Sequence, residues 1–406
     1  MSEFDIRNSP DYSIYNPVCT KCFEDEDIVD FIEDYDGPPG CSYCESNDAP
    51  TAPLEDIAEH MRGCLLQFYG FAANQLPYES REGGYQGAHW DTAELLFEVL
   101  GVSLPRDKDD KLFFDLTTLI GDEVWCDYDW LSLDYDDALD SSCNKFCNTI
   151  QHERRFFFAL KSKGAQDDDY DRDIYPPLGL LHEIVELAED NDLVTVFPAG
   201  KEIFRCRPCD PGMPYHTAHE LGPPPAEEAV QANRMNPPGI PMMYGAETEE
   251  IAIRETRSPN VTVARFRLEK ETRILNLAEL PPTPGIFSGA ERRERLGLIF
   301  IHAFSREITR PVDRTDRIHI EYIPSQVVTE FIRDAKIFGA HVDGICYPSS
   351  LDGDARNIVL FTAQIDLMEP DGTPVQTCIF PPHTPWIRLI GSHLAELDVA
   401  AITNAE

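Results

Sequence analysis

The run Asn233-Arg234-Met235-Asn236-Pro237-Pro238-Gly239-Ile240-Pro241-Met242-Met243-Tyr244-Gly245-Ala246, followed eleven residues after Tyr244 by Glu255, decides how this 406-residue chain is read. It places an arginine, an aromatic hydroxyl and a carboxylate in one block divided by turn residues. Those groups suit a ligand with a pyrophosphate, a flat ring and a bond whose rupture leaves a cation. A guanidinium grips phosphate oxygens with two parallel donors, an aromatic ring packs on a heterocycle, and a fixed carboxylate stabilises developing positive charge.

Outward from this block, residues 200–370 alternate short β-like runs with helical segments. Val194–Phe197, Ile203–Cys206, Val261–Phe266 and Ile358–Phe361 read as strands, and Glu247–Glu255, Glu291–Phe304 and Gln326–Phe338 as helices. The sequence therefore predicts an α+β domain. Upstream the texture is helical. Ile57, Met61, Cys64, Leu65 and Phe68 recur at helical spacing between Leu54 and Ala73, and further helices are expected over Ala93–Leu100, from about Leu139 to Leu160, and over Pro177–Glu189. Lys163–Asp173 reads as a charged linker. The expected division is a small module over 1–50, a mainly helical acidic domain over 51–192, the α+β domain over 193–370 and a proline-rich extension over 371–406 that ends in a mobile Ala-rich tail.

The net charge of −39 is unevenly spread: residues 1–200 carry 44 Asp and Glu against 13 Lys and Arg, a net of −31. Such a surface disfavours direct binding to nucleic acid, whose phosphates it repels; it fits a solvated face or a basic partner. No apolar run approaches the roughly 20 residues that span a bilayer, and Met1-Ser2-Glu3-Phe4-Asp5 is unlike a signal peptide, so a cytoplasmic protein with no membrane association is expected. Twelve cysteines then read as thiols or metal ligands. Cys19-Thr20-Lys21-Cys22 and Cys41-Ser42-Tyr43-Cys44 have the two-pair spacing of a closed, structural four-cysteine zinc site. Cys206 and Cys209 form a third pair without an evident partner pair, with Cys143 and Cys147 as candidates only if the fold brings them close.

Several spaced motifs together resemble the RES domain, a family of toxin-like enzymes with an ADP-ribosyltransferase-like fold. They are Phe204-Arg205-Cys206-Arg207, the Asn233–Ala246 block, Ala252-Ile253-Arg254-Glu255, Glu321–Gln326, Asp343–Ser350 and Asn357–Phe361. The paired cysteines and Glu82-Gly83-Gly84-Tyr85 resemble the HEPN/RES N-terminal region that accompanies one RES subgroup. The resemblance implies cleavage of NAD+ at the nicotinamide–ribose bond, by a glycohydrolase or phosphorylase acting as a toxin or anti-phage effector. It assigns Glu255 to the ribosyl cation, Arg234 to phosphate or ribose, Tyr244 to the nicotinamide ring, Ser349 to an amide or ribose hydroxyl, and Arg205 and Asn357 to substrate binding. Uncontrolled loss of NAD+ would poison the cell, so an inhibitory or activating protein partner is expected, and the size and charge of the acidic N-terminal half are compatible with docking that partner or with a homo-oligomer. Two other readings stand beside NAD+ cleavage: a non-catalytic nucleotide sensor, and a transferase of ADP-ribose to a macromolecule.

Each residue also has a plain structural reading. Arg234 can be a surface charge, Tyr244 core packing, Glu255 an ion-pair partner of Arg254 or Arg257, and Ser349, or Ser350 beside it, a turn cap. Arg207 competes with Arg205 on the same strand face. Met235 stands where many small RES toxins have Trp, which keeps an apolar anchor and leaves substrate preference open. Arg295 and His302 copy the R-x6-H spacing of HEPN ribonucleases inside the wrong half of the chain and read as coincidence.

Overall fold

The computed structural model describes residues 16–396 apart from 36, 38, 82, 108, 161–172, 311–317, 350–354 and 378–381. The linker from Lys163, Glu82, Ser350 and the Ala-rich tail lie outside the described residues, wholly or for the most part. The chain divides into two compact units. One runs through Asp134 and takes in Thr283–Leu296; the other holds Tyr135–Pro282 and continues from Gly297.

In the first unit, helices Glu26–Glu33, Leu54–Phe68 and Lys111–Ile120 bury residues one helical turn apart: Ile28 with Ile32, Ile57 with Met61 and Leu65, and Leu112 with Leu116 and Ile120. Asp25 caps the first of these by accepting from the Ile28 amide at 3.1 Å. The predicted helix through Ala73 stops at Phe68, where Tyr69–Phe71 turns into a strand paired with Val124–Asp127. No helix of the described residues is long and apolar enough to cross a membrane.

The second unit is a nine-stranded sheet with helices. Its strands are β1 (Val194–Phe197), β2 (Glu202–Pro208), β3 (Met243–Ala246), β4 (Asn260–Leu268), β5 (Thr272–Asn276), β6 (Gly344–Pro348), β7 (Arg356–Leu360), β8 (Leu367–Met368) and β9 (Ile387–Glu396), in the order β8-β9-β4-β2-β3-β7-β6-β5-β1. Neighbours are antiparallel except β5 with β6 and β8 with β9. Its longer helices are α1 (Tyr135–Asn148), α2 (Pro177–Asp190), α3 (Glu249–Thr256), α4 (Arg292–Thr309, which joins this unit from Gly297) and α5 (Ile323–Asp334). Alternation along the strands separates two apolar layers. Ile345 and Val359 pack with Leu139, Leu187, Phe304 and Ile332 of the helices, while Cys346, Ile358 and Leu360 join Ile203, Met243 and Leu389.

Two readings shift here. Residues of α1 and α2, read with the helical N-terminal part, pack in the second unit. The stretch beyond 370, read as an extension, supplies β9, which pairs along the whole of β4 from Asn260 opposite Glu396 to Leu268 opposite Ile387. The prolines before it mask a strand that is half-buried along its length.

The four cysteines of the first unit meet as their spacing predicts. Sγ of Cys19 lies 3.4 Å from that of Cys44, and Cys22 lies 3.6 Å from Cys41 and 3.9 Å from Cys19. All four sulfurs lie within 4.8 Å of one another, the only such gathering of three or more ligand groups among the described residues. A tetrahedral ion with bonds of roughly 2.3 Å holds its sulfurs about 3.8 Å apart, so the cluster fits zinc. Hydrogen bonding from Cys22 holds the Cys41 thiol down to about 4 and, with burial, pushes Cys22 above the usual thiol range. Lowering of the Cys41 thiol is in the direction that metal binding needs, since a zinc ligand is the thiolate. Cys206 and Cys209 do not join Cys143 and Cys147 in such a gathering. We predict one zinc ion per purified chain. Cys22→Ser or chelation should remove it and lower the melting transition of this unit by roughly 10 °C. Elemental analysis with calorimetry checks this; a metal-free protein that melts unchanged would contradict it.

Candidate active site

The site follows from how β2 meets β3. The ladder between them holds one register pair, Ala246 with Phe204, whereas β3 pairs with β7 along its length from Met243–Leu360 to Ala246–Asn357. Beyond Phe204 the strands part, and a cavity of about 550 Å³ opens along both. Arg205 bridges the gap: its Nη1 donates to the Tyr244 carbonyl at 2.8 Å, replacing a ladder bond. α3 packs against β2 and delivers Glu255 to the cavity wall. Its register is set by Thr248, whose side chain accepts from the Ile251 amide at the N-cap.

Glu255 is held from two other elements. Ser349, just after β6, donates from Oγ to Glu255 Oε1 at 2.5 Å, and Asn357 of β7 donates from Nδ2 to the same oxygen at 2.8 Å. Both donors are buried, Glu255 half so. Two bonds on one oxygen fix the carboxylate plane and leave Oε2 outside this arrangement. Ser349 and Asn357, expected to touch substrate, both hold the carboxylate in this structure, and Asn357 also lines the cavity. Tyr347 lies opposite Asn357 in the β6–β7 ladder and is a buried wall of the same cavity. Nothing in the sequence marks it for the site except its place between Cys346 and the Pro348-Ser349 turn.

Tyr244 lines the cavity, but its hydroxyl is engaged: it donates to Asn236 Oδ1 at 2.7 Å and accepts from the Met235 amide at 3.1 Å. Burial raises its pKa far above the usual phenol range. The hydroxyl therefore holds the Asn233–Gly239 loop in place, and the ring is what the cavity can use. Gln326 of α5 grips the same loop by donating to the carbonyls of Asn233 and Asn236 at 2.7 and 3.2 Å. Met235 is wholly buried, with Thr329 Oγ1 donating to its sulfur at 3.1 Å, so it anchors the loop and does not face the ligand space.

Arg234 does not line this cavity, although its charge is felt by two of the cavity's walls, Tyr244 and Tyr347. It lines a neighbouring cavity of about 390 Å³, and its guanidinium donates to the carbonyl of Thr309, the last residue of α4. There it satisfies a helix-end acceptor. Arg205 is the deeper of the two arginines that line the main cavity, with Arg207 nearer the solvent. The Arg205 Nε is buried without a partner, and desolvation with the nearby Arg207 charge brings its pKa down to about 10, still fully charged at neutral pH. An enclosed cation with an orphan donor is a socket for an anion. Arg295 and His302 are taken by the backbone carbonyls of Pro284 and Pro281 respectively.

Two family models match the chain. The HEPN/RES N-terminal domain 1 matches residues 35–164, and the RES domain matches residues 203–380, which contain every residue of the cavity. No curated protein and no solved structure matches the chain. The chain is therefore a RES-domain protein, with a HEPN/RES N-terminal domain 1 preceding its RES domain.

Proposed function

We propose that the RES domain cleaves NAD+ at the nicotinamide–ribose bond. The observation that carries this reading is the Glu255 carboxylate, oriented by Ser349 and Asn357 on one oxygen beside a cavity whose arginines, Arg205 and Arg207, form no ion pair with a carboxylate among the described residues. Rupture of that bond needs no proton for the leaving group, since the pyridinium nitrogen takes the bonding electron pair and departs neutral. The site must instead hold the phosphates and stabilise an oxocarbenium-like ribose. Arg205 does the first, Glu255 the second, and the rings of Tyr244 and Tyr347 form the wall for the nicotinamide. Water then bonds to the ribose carbon and releases a proton to solvent, or a phosphate oxygen bonds there in its place. Arg234 acts at one remove, by tying the loop to the end of α4. The opening between β2 and β3 supports the ADP-ribosyltransferase-like fold that the family resemblance implies.

Such an enzyme drains a dinucleotide its own cell needs, which suits a toxin or defence effector under control by another protein. The strongly acidic N-terminal half is the part of the chain suited to that control. Two alternatives have definite outcomes: tight NAD+ binding without turnover makes the domain a nucleotide sensor, and ADP-ribose retained on protein or RNA makes it a transferase.

Full-length protein incubated with NAD+, with and without phosphate, should release nicotinamide, and Glu255→Gln should lower kcat by roughly 10²-fold or more with the fold intact. No release or transfer under any condition would refute the reading. Asn357→Ala should lower kcat about 10- to 100-fold with little change in KM, because a carboxylate loosened by an ångström loses alignment and not affinity. A change confined to KM would show that Asn357 contacts substrate directly.

A further inference from the structure

β2 carries two arginines into the cavity. Arg205 and Arg207 are two residues apart, so they project from the same side of the strand, and both line the opening beside β3. Their settings differ. Arg205 lies deep, bonded to the Tyr244 carbonyl. Arg207 is exposed near the strand's end, where its guanidinium donates to the Glu220 carbonyl and lies 5.0 Å from the centroid of the Tyr215 ring. A carbonyl and an aromatic face hold a guanidinium in place but leave its charge uncancelled. The Glu220 carboxylate is occupied elsewhere, accepting from the amides of His216 and Thr217 at 3.1 Å each and from the Thr217 hydroxyl at 2.8 Å. Among the described residues no carboxylate forms an ion pair with either arginine.

Two fixed cations in one cavity repel each other, and the Arg207 charge is one cause of the lowered Arg205 pKa. The arrangement gains nothing for folding. An anion beside both removes the repulsion, and in a chain of net charge −39 a cavity whose lining sets Arg205 and Arg207 against Glu228 and Glu255, and so is formally neutral, opposes an anion less than the rest of the surface does. The two Cα atoms stand roughly 6.6 Å apart along a strand, a span that suits two linked phosphates better than one. Of the two carboxylates in the lining, Glu255 is engaged by Ser349 and Asn357, and Glu228 is exposed at the rim.

We propose that Arg207 is a second anion subsite of the cavity, binding the phosphate of a nucleoside diphosphate that lies farther from Glu255, while Arg205 binds the nearer one. The ligand class is thereby a diphosphate-bridged dinucleotide, with its second nucleoside leaving the cavity past Arg207. This rests on the reading of the cavity as a nucleotide site, and it does not require turnover.

The test is calorimetric titration of the full-length protein with ADP-ribose, which carries both phosphates, and with ribose 5-phosphate, which carries only the nearer one. Arg207→Ala should weaken ADP-ribose binding about 10-fold and change ribose 5-phosphate binding less than about 2-fold, with Arg207→Lys intermediate. Arg205→Ala should weaken both ligands. Equal loss of both ligands in Arg207→Ala, or loss of neither, overturns the proposal, as does a wild type that binds no ADP-ribose. Selective loss of ADP-ribose affinity in a protein that releases no nicotinamide would uphold this subsite while refuting cleavage, so the two readings fail separately.

Discussion

The site depends on a sheet that is left incomplete. β2 and β3 share the Phe204–Ala246 pair and then separate, although each is fully paired on its other side, β2 with β4 and β3 with β7. An interrupted ladder exposes backbone acceptors that a folded chain must satisfy. Arg205 does so at the Tyr244 carbonyl, and by doing so it becomes a cation fixed in the gap. The same separation gives α3 room to bring Glu255 to the opening. Space, positive charge and carboxylate thus share one structural cause.

Around that gap the chain invests in orientation. Ser349 and Asn357 come from positions 94 and 102 residues away from Glu255 and converge on one of its oxygens. The Asn233–Gly239 loop is held by the Tyr244 hydroxyl and by Ser325 and Gln326 of α5, with Met235 buried beneath it. Bonds of this kind do not bind a ligand; they remove alternatives for the groups that do, which is where catalytic sites gain most from a rigid scaffold.

Much of the site was legible in the sequence because its parts are chemically marked. Arg205, Tyr244, Glu255 and Asn357 all reach one cavity, and the two cysteine pairs meet as their spacing requires. What stayed hidden is direction. Sequence spacing could not say that Arg234 turns to the end of α4, that the Tyr244 hydroxyl faces its own loop, or that Ser349 and Asn357 serve the carboxylate, since these follow from long-range packing. Tyr347 escaped because an apolar-looking strand residue reads as core. β9 escaped because prolines before it read as a tail, whereas β4 offers a long unpaired edge for exactly such a strand to cover.

The position of a bound product tests the role of this gap most directly. A crystal structure of the full-length protein with ADP-ribose should place the anomeric carbon of the terminal ribose against Glu255 and the diphosphate between Arg205 and Arg207, in the gap between β2 and β3. ADP-ribose seated elsewhere on the protein, with the Glu255 carboxylate and both guanidiniums untouched, would contradict it.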